Sequence, residues 1–514
     1  MTAVNDRYNA STIVERRLDA GDGDRPAFIA ADATLSYAEL SRQVCRAGRL
    51  LRELGVGEED RVLLVLDDTT VFPIMFLGAI RIGAVPIPVN PLDRPDNYRH
   101  YALDSRARLV VSDADKLELL SEAMADGGLR CVVRGAEGPD LIELDAALAA
   151  QEPECDPAPT HPDDMAFWLY SSGSTGRPKG VVHLQHDIRV TCETYGAHVL
   201  ALTRSDVTFS STKLFHAYGL GNGLSFPLWF GATSVLMRGP TRPEPILHTL
   251  REHRPTVFFS VPAIYGGLLR VQGAEDALCS VRRCVSAAEP LQAQTFDRFR
   301  TRFGLEILDG LGSTEMLHIF CSNRSGDALP GTSGRAVPGY QLRLVDEHGA
   351  VIEGPGIGTM EVNGDSCAAY YWHHHDKTRQ CMRGEWFATG DRYERREDGA
   401  YVYVGRMDDM LKVGGLWVSP IDMENVLGEH PRITGAGVVG VTIEHTTRLM
   451  AFVECTGGPG DVALADELRE LCRRELRRYE YPHVVQFVDQ LPRTATGKVR
   501  RYVLRELADR STPA

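Results

Sequence analysis

Apolar and polar positions along the first third of the chain form patterns typical of helices that are followed by strands. Apolar residues recur at helical spacing over Tyr37–Leu54, and a short, mainly apolar run follows at Arg61–Leu66. The apolar stretch Val71–Val89 predicts a buried helix followed by a strand, and further short strands are predicted at Leu109–Ser112 and Arg130–Val133. This alternation of helix and strand favours a layered α/β architecture with parallel strands.

The remaining chain divides into further regions. Residues 151–164 are rich in Pro, Asp and Glu and predict a linker loop. Strand-like runs follow at Phe167–Tyr170, Val207–Ser210, Thr256–Ser260 and Glu306–Leu308. After Gly331, short strands separated by turns indicate a β-rich subdomain, and a new compact unit begins after Arg406, with Ser419 capping a helix. We therefore predict a large N-terminal domain over residues 1–407 and a small α+β C-terminal domain over residues 408–514.

Charge and composition exclude some classes of function. The formal net charge is −14, from 56 Lys and Arg against 70 Asp and Glu, which disfavours duplex nucleic acid as a partner. An anionic ligand must then be held by local dipoles and a few placed cations. The first residues lack a signal pattern and the most apolar stretch is interrupted by Arg81 and by prolines, so we expect a cytoplasmic protein without a membrane span.

The most informative motif is a loop rich in Ser and Gly between two β-like segments. Its candidate phosphate ligands are Ser171, Ser172, Gly173, Ser174, Thr175, Gly176 and Lys179. Successive backbone N–H groups of such a loop point into one concavity that suits phosphate oxygens, and Lys179 adds a point charge. The spacing of a Walker A loop is absent. A generic run of this composition is a flexible surface turn, but here Pro178-Lys179-Gly180 ends the loop stiffly.

The sequence SSGSTGRPKG resembles the signature loop of the adenylate-forming superfamily, which includes acyl-CoA ligases, luciferases and peptide-synthetase adenylation domains. The resemblance extends over nearly the whole chain, from about residue 25 to about residue 505. It implies ATP and coenzyme A as substrates, Mg²⁺ as the metal, and a C-terminal domain that rotates between two half-reactions.

Two further segments resemble the nucleotide-binding motifs of that superfamily. In the first, the resemblance implies that Thr314 binds a phosphate oxygen and that Glu315 places Mg²⁺; the same motif contributes Asp309, Gly310, Leu311, Gly312 and Ser313. Leu311 stands where an aromatic residue is usual. The second segment resembles the adenine-binding turn and comprises Ala288, Glu289 and Pro290, preceded by Ala287 where glycine is common.

The resemblance also assigns residues in the second half of the chain. Asp391, in a Thr-Gly-Asp motif, is implied to accept both ribose hydroxyls, and Tyr403 and Arg406 are implied to contact the nucleotide. Asp408 is the implied hinge, and Gly414 and Gly415 are implied to line the thiol tunnel. Lys498 resembles the catalytic lysine, whose charge offsets the anion that develops between carboxylate and α-phosphate.

The sequences HAYGLGN and STEMLHIF resemble the acid-pocket motifs of benzoate-type ligases. They imply a flat, short pocket for a single ring, lined by His216, Ala217, Tyr218, Gly219, Gly312, His318 and Ile319. Benzoate-type enzymes often have Phe at the position of His216. A histidine there is interpreted as a gate or as a hydrogen-bond partner for a ring substituent. Hydroxy- and aminobenzoates are therefore candidate substrates beside benzoate itself.

Three functions remain open from the sequence. The first is an AMP-forming aryl-CoA ligase, which activates a small aromatic acid through an acyl-adenylate and transfers it to coenzyme A. The second keeps the adenylation but loads the phosphopantetheine of an acyl carrier protein in secondary metabolism. The third is a non-catalytic ligand-binding homologue, which the joint presence of Thr314, Glu315, Asp391, Arg406 and Lys498 disfavours. The protein is expected to be a monomer or a homodimer.

Overall fold

The computed structural model describes residues 7–127, 129–138, 140–171, 177–406, 411–413, 416–443, 446–458, 460–476, 480–493 and 499–511. The helices are α1 (Glu15–Asp19), α2 (Tyr37–Glu53), α3 (Val71–Arg81), α4 (Pro95–Ser105), α5 (Leu117–Gly127), α6 (Leu144–Ala149), α7 (Asp187–Thr191), α8 (Ala217–Leu220), α9 (Phe226–Phe230), α10 (Pro243–His253), α11 (Pro262–Leu268), α12 (Ala274–Leu278), α13 (Ala293–Phe303), α14 (His375–Cys381), α15 (Pro420–Gly428), α16 (Val462–Glu475) and α17 (Arg501–Ser511). Two π-helical segments, Cys192–Leu200 and Gly221–Ser225, follow α7 and α8 directly.

The strands are β1 (Pro26–Ile29), β2 (Thr34–Ser36), β3 (Arg61–Val65), β4 (Val85–Pro88), β5 (Leu109–Asp113), β6 (Arg130–Arg134), β7 (Leu141–Glu143), β8 (Met165–Ser171), β9 (Lys179–Leu184), β10 (Val207–Ser210), β11 (Thr233–Val235), β12 (Val257–Ser260), β13 (Arg283–Ser286), β14 (Ile307–Gly312), β15 (Ile319–Ser322), β16 (Arg335–Ala336), β17 (Gln341–Val345), β18 (Gly356–Asn363), β19 (Tyr370–Tyr371), β20 (Met382–Arg383), β21 (Trp386–Arg395), β22 (Tyr401–Arg406), β23 (Leu411–Val413), β24 (Leu416–Val418), β25 (Ile433–Ile443), β26 (Thr446–Cys455) and β27 (Val484–Phe487).

The described residues form two compact units. The first takes its residues from Met1–Pro330, Gly334–Gln341 and Val362–Phe387, and the second from Gly331–Ser333, Leu342–Glu361 and Ala388–Ala514. The domain boundary predicted between residues 407 and 408 stays a prediction.

The largest sheet of the first unit brings several motifs to one edge. Within the described residues its strand order is β16-β15-β14-β13-β12-β10-β11-β1-β2. The neighbours β10, β12, β13 and β14 run parallel, whereas the pairs at the two ends of the sheet are antiparallel. Residues that follow parallel strands meet at the same edge, which is where open α/β sheets bind their ligands. The acid-pocket motif, the adenine turn and the Thr314 motif all follow strands of this group.

Helices α10 to α13 cover this sheet with apolar side chains. Tyr265 of α11 packs edge-on against Phe258 of β12 and against Phe299 of α13, and Phe296 of α13 belongs to the same cluster; all four are buried. Burial of each such aromatic side chain contributes about 1.5–3 kcal/mol relative to exposure. This core fixes the strands whose ends carry the candidate site.

A second, all-parallel sheet in the first unit has the order β4-β3-β5-β6-β7. Its strands are mainly apolar, α3 packs against β3 and β4, and every residue of α3 is buried. The hairpin β8-β9, extended by β19, lies against this sheet, with Trp168 and Val182 in the same apolar cluster as Leu63 and Val110.

The described part of the second unit contains three further sheets. One is the antiparallel pair β23-β24. In another, β21 pairs with β18 and with β22. In the third, β25 and β26 are antiparallel and β27 pairs with β26 in parallel. The alternation of side chains along β25 and β26 gives this sheet two apolar faces: Val438 packs on one side with α15 and α16, and Val439 on the other with α17.

The fold class predicted from the sequence is confirmed: layered α/β subdomains, a β-rich region after Gly331 and a small α+β region at the C-terminus. The predicted helix Tyr37–Leu54 and strands Val207–Ser210 and Thr256–Ser260 match the observed elements within a residue. Two strands extend beyond their predicted bounds. β8 begins at Met165 instead of Phe167. β14 continues to Gly312 instead of ending at Leu308, because it also pairs with β15. No helix among the described residues is both long enough and apolar enough to cross a bilayer.

Candidate active site

The hairpin β8-β9 presents both ends of the predicted phosphate loop. Ser171 and Lys179 are directly opposite each other in the antiparallel pair, and both are partly buried. His100 of α4 contacts the Pro178 carbonyl through Nε2 at 2.9 Å, and the Tyr170 hydroxyl donates to Asp104 of the same helix at 2.8 Å. The two ends of the loop are therefore held by one helix. Ser172, Gly173, Ser174, Thr175 and Gly176 lie outside the described residues.

Two side chains that sequence reasoning missed contact the Thr314-Glu315 motif. His183 of β9 is fully buried, and its Nε2 lies 2.9 Å from the Thr314 carbonyl while its Nδ1 lies 2.8 Å from Asp187. Nε2–H donates to the Thr314 carbonyl, and Asp187 holds the other side of the ring through Nδ1. The separation of four residues between His183 in β9 and Asp187 at the start of α7 was visible in the sequence. The contact of His183 with Thr314 was not.

Tyr371 is the second missed residue. Its hydroxyl donates to Oε1 of Glu315 at 2.8 Å, and its backbone pairs with Val181 of β9. Burial, together with the adjacent Glu315 carboxylate, raises the pKa of Tyr371, so the hydroxyl keeps its proton and acts as a donor. The phosphate hairpin and the Glu315 carboxylate are thus tied together through the short strand β19.

Glu315 suits a magnesium ion that is held mainly by a nucleotide, because it supplies a single protein carboxylate. No group of three or more His, Cys, Asp or Glu side chains that would hold a metal occurs in the described part of the chain. Mg²⁺ commonly takes one or two carboxylates, several waters and phosphate oxygens of the substrate. With Oε1 engaged by Tyr371, the second oxygen of Glu315 fits that pattern.

The adenine-like turn follows β13 and lies beside the Asp309 motif. Ser286, the last residue of β13, is in register with Asp309 on β14. Ala288 has φ +77°, the left-handed region that favours glycine, whereas Ala287 is not among the residues with positive φ. The residue with a glycine-like backbone is therefore Ala288, one position after Ala287, where the resemblance has its common glycine. Glu289 and Pro290 complete the turn.

Asp309 is a deeply buried acid at this edge. Burial raises the pKa of its carboxyl well above the ordinary value, and its Oδ1 has no hydrogen-bond partner within the described residues. Its backbone carbonyl accepts from the Asn323 N–H at 3.0 Å. Gly310 and Leu311 continue β14 beside β15, and Ser313 accepts from the Met316 N–H at 3.2 Å. The predicted Asp309–Glu315 motif thus forms a strand end and a turn.

In the second unit, Asp391 and Arg406 are opposite each other on β21 and β22. Arg406 Nη1 lies 3.4 Å from Asp391 Oδ1, and the Thr389 hydroxyl accepts from the Asp391 N–H at 3.1 Å. Tyr403 packs edge-on against Tyr393, with ring centroids 5.3 Å apart. A carboxylate and a guanidinium side by side offer acceptors for hydroxyls and donors for phosphate oxygens. Asp408, Gly414, Gly415 and Lys498 lie outside the described residues.

The acid-pocket motif follows β10 and forms α8. Tyr218 lies over the ends of β12 and β13, because its hydroxyl donates to the Val285 carbonyl at 3.1 Å and is 3.3 Å from the Ser260 carbonyl. Gly219 allows a close approach of two backbone segments, since a Cβ there would lie 2.0 Å from the Lys213 carbonyl oxygen. Ala217 is buried and His216 is partly exposed beside Phe215.

His318 is the centre of an aromatic cluster. Its ring lies 4.6 Å from that of Phe226, 5.1 Å from Tyr195 and 5.5 Å from Tyr218, measured between centroids. Burial lowers its pKa to about 3, so the ring is neutral. Its Nε2 is 3.1 Å from Asn222 Oδ1 and 3.3 Å from the Tyr218 carbonyl, two acceptors that place the proton on Nε2. Nδ1 has no partner among the described residues.

Gly312 and Ile319 join this cluster to the nucleotide motif. They are paired across β14 and β15, and a Cβ on Gly312 would lie 2.6 Å from the His318 carbonyl oxygen. Ile319 is 1% exposed. The structure therefore brings Gly312, His318, Ile319 and Tyr218 together, immediately beside Thr314 and Glu315.

The fold and the site define a class of nucleotide-dependent acid-activating enzymes, and comparisons with known proteins identify the family. Residues 14–372 match the family of AMP-binding enzymes, and residues 422–498 match the AMP-binding enzyme C-terminal domain. The chain belongs to this family.

Several characterised relatives share nearly the full length of the chain. It is 44% identical to a benzoate–CoA ligase from Thauera aromatica, over 98% of this chain and 96% of the relative. It is 43% identical to a 4-hydroxybenzoate–CoA/benzoate–CoA ligase from Rhodopseudomonas palustris, over 97% of this chain and 94% of the relative. The fold is similar to that of an anthranilate CoA ligase in complex with anthranoyl-AMP, with a TM-score of 0.94, 35% identity and 98% coverage of both chains.

Proposed function

We propose that this protein uses ATP to convert a small aromatic carboxylic acid into an acyl-adenylate and then into its coenzyme A thioester. One observation carries the proposal: a single turn links the Thr314-Glu315 motif to the aromatic cluster of His318. The Leu317 N–H donates to the Thr314 carbonyl at 3.1 Å and closes that turn. Adenylation needs a carboxylate held in line with the α-phosphate, and adjacent sites for the two anions meet that need.

In the first half-reaction, a carboxylate oxygen of the acid attacks the α-phosphorus of ATP and the bond to the pyrophosphate oxygen breaks. Acyl-AMP and pyrophosphate result. Thr314 and the Ser171–Lys179 loop would hold phosphate oxygens, and Lys498 would offset the charge that develops between carboxylate and phosphate. In the second half-reaction, the sulfur of a thiolate attacks the acyl carbon, the thioester forms and AMP leaves with the bridging oxygen.

The aromatic acid is favoured by the side chains around α8. Ala217 and Gly219 leave space, and the ring of Tyr218 offers a flat apolar face that suits a single ring. His318 is neutral and its one ring proton is already donated, so it adds no charge that would favour a second carboxylate on the ligand. The names of the relatives cover benzoate, hydroxybenzoate and anthranilate, and His216 leaves the ring substituent open among these.

Mg²⁺ and the thiol acceptor complete the proposal. Bound with ATP, the metal would neutralise phosphate charge, with Glu315 as its protein ligand and Tyr371 holding that carboxylate. Coenzyme A is the acceptor of the named relatives, and these names do not favour transfer to an acyl carrier protein. A mobile C-terminal domain after residue 407, with Asp408 as hinge and Gly414-Gly415 beside the thiol, remains part of the proposal, as does a monomeric or homodimeric state.

The direct test is acid-dependent release of pyrophosphate over a panel of benzoate, hydroxybenzoates, aminobenzoates, cinnamates and medium-chain acids. We expect release with one or more single-ring acids and weak release with the longer acids. Thioester formation on free coenzyme A and on a carrier protein is then compared with the best acid. Absence of release across the whole panel would favour a non-catalytic homologue, and preference for the carrier would overturn the acceptor.

Lys498→Ala tests the role of the lysine. Because its charge is needed while the anion develops, we expect loss of adenylation by about 100-fold or more, with much less loss of thioester formation from supplied acyl-AMP. Arg500→Ala removes a cation two residues away and serves as the control. Equal losses in the two half-reactions, or an equal loss in the control, would contradict the assignment.

A further inference from the structure

Two aspartates follow strand β3 closely, and the proposed reaction uses neither of them. Asp67 and Asp68 stand at the carboxyl end of the second sheet, after Leu66. The side chain of Asp68 is 5% exposed, and that of Asp67 is 14% exposed. A buried carboxylate costs free energy unless it is paired or accepts hydrogen bonds, so its contacts are informative.

Asp68 contacts the segment that begins the acid-pocket motif, 146 residues further along the chain. Its Oδ1 accepts from the Leu214 N–H at 3.1 Å, and its Oδ2 lies 3.9 Å from Lys213 Nζ. Lys213 also donates to the Met237 carbonyl. The Asp68 carboxylate therefore contacts both the backbone of Leu214 and the side chain of Lys213.

The segment Lys213-Leu214 supports the pocket residues directly. The His216 N–H donates to the Lys213 carbonyl at 3.1 Å. A Cβ on Gly219 would lie 2.0 Å from the same carbonyl oxygen, so α8 rests on this segment without free space. A shift of Lys213-Leu214 must therefore displace His216 and Gly219, and with them Tyr218 between them.

We propose that Asp68 is a positioning residue for the acid substrate: its buried carboxylate anchors Leu214 and thereby sets the place of His216 and Tyr218. This inference rests on the proposed function, which assigns His216 and Tyr218 to the binding of the acid. It gives a role in acid affinity to a residue that follows a strand of the second sheet, whereas the pocket motif follows a strand of the largest sheet.

The charges around Asp68 determine how the anchor responds to pH. Burial raises the pKa of Asp68 to about 6, with Asp67 adding to the rise and with Lys213 and the Leu214 N–H opposing it. Arg238 and Lys116 face Asp67, at 3.0 and 3.6 Å. Protonation below about pH 6 removes a buried charge, which favours the folded state, yet it weakens a charge-assisted hydrogen bond. Stability and acid affinity should therefore change in opposite directions.

Asp68→Asn tests the anchor because asparagine keeps an acceptor and loses the charge. Charge-assisted bonds are roughly twice as strong as neutral ones, so we expect the KM for the acid to rise about fivefold at pH 7. The KM for ATP should stay within about twofold, since Asp68 contacts neither nucleotide motif. The melting temperature at pH 7 should stay equal or rise. Asp67→Asn is the matched control, because Asp67 is adjacent but contacts Arg238 and Lys116 instead.

Two further readouts separate the anchor from a general structural role. In wild-type protein, the KM for the acid should rise as the pH falls from 7 to 5. In Asp68→Asn this pH-dependent rise should be absent. Amide hydrogen exchange over residues 211–220 should be faster in Asp68→Asn than in Asp67→Asn, whether or not the protein is active. Faster exchange without activity on any acid would refute the proposed function, but it would still support the anchoring of Leu214 by Asp68.

The proposal is overturned by any of three results. These are unchanged exchange over residues 211–220, an equal rise in the KM for ATP, or the same rise in acid KM in Asp67→Asn. A fall in melting temperature that accompanies the rise in acid KM would also count against it, because a carboxylate that only stabilises the fold would produce both.

Discussion

The buried, neutral His318 makes a quantitative prediction about stability and pH. Burial lowers its pKa from 6.5 to about 3 in the folded protein. Below pH 6.5 the unfolded chain binds a proton on this residue, whereas the folded ring stays neutral until about pH 3. Because the unfolded state then binds more protons, the stability contributed by His318 is complete above pH 6.5 and is lost as the pH falls.

The size of the effect follows from the two pKa values. One pKa unit corresponds to about 1.4 kcal/mol. Between pH 7 and pH 5, about 1.5 pH units lie below the pKa of histidine in the unfolded chain. The free energy of unfolding should therefore lose about 2 kcal/mol between these pH values through this one residue. Asp68 acts in the opposite direction, because its pKa of about 6 lies above its ordinary value.

The variant His318→Gln isolates the contribution of the histidine. Glutamine keeps an N–H donor for the Asn222 side chain and does not titrate in this range. Urea unfolding at pH 7 and pH 5 gives the stability difference between wild type and variant, and the contribution of Asp68 cancels in this difference. We expect the difference to fall by about 2 kcal/mol from pH 7 to pH 5.

A control at an exposed histidine checks that the effect depends on burial. His248 is 79% exposed on its side chain, and His248→Gln should show no such change. If the difference between wild type and His318→Gln is the same at both pH values, the ring is not a neutral buried group and the reasoning fails.

Two further variants test local features of the site. Ala288→Gly places glycine where φ is +77° and should raise the free energy of unfolding by about 0.5–1 kcal/mol, measured by urea unfolding; a decrease would show that the left-handed backbone is not strained. Tyr371→Phe removes the hydroxyl that donates to Glu315 and should lower the rate of adenylation about tenfold, with a higher Mg²⁺ concentration needed for half-maximal rate. An unchanged Mg²⁺ requirement would show that Tyr371 does not position that carboxylate.

Much of the candidate site could be predicted because its residues are close together in sequence. The phosphate loop, the Asp309–Glu315 motif and the Thr-Gly-Asp turn each consist of a few consecutive residues whose types and spacing carry the chemistry. Strand and helix periodicity placed most elements for the same reason, since it depends only on neighbours along the chain. The adenine turn marks the limit of this approach. The resemblance has a common glycine at Ala287, but the positive φ after β13 occurs at Ala288.

The sequence by itself determined the α/β class, the family and the residue types that would meet ATP and an aromatic acid. Only the tertiary structure decided which side chains hold those residues in place. His183 meets Thr314 across 131 residues, and Asp68 meets Leu214 across 146. No local pattern specifies such contacts, because they depend on the order in which parallel strands are laid beside each other. Strand order is set by the packing of the whole core, so the supporting residues became visible only in the folded chain.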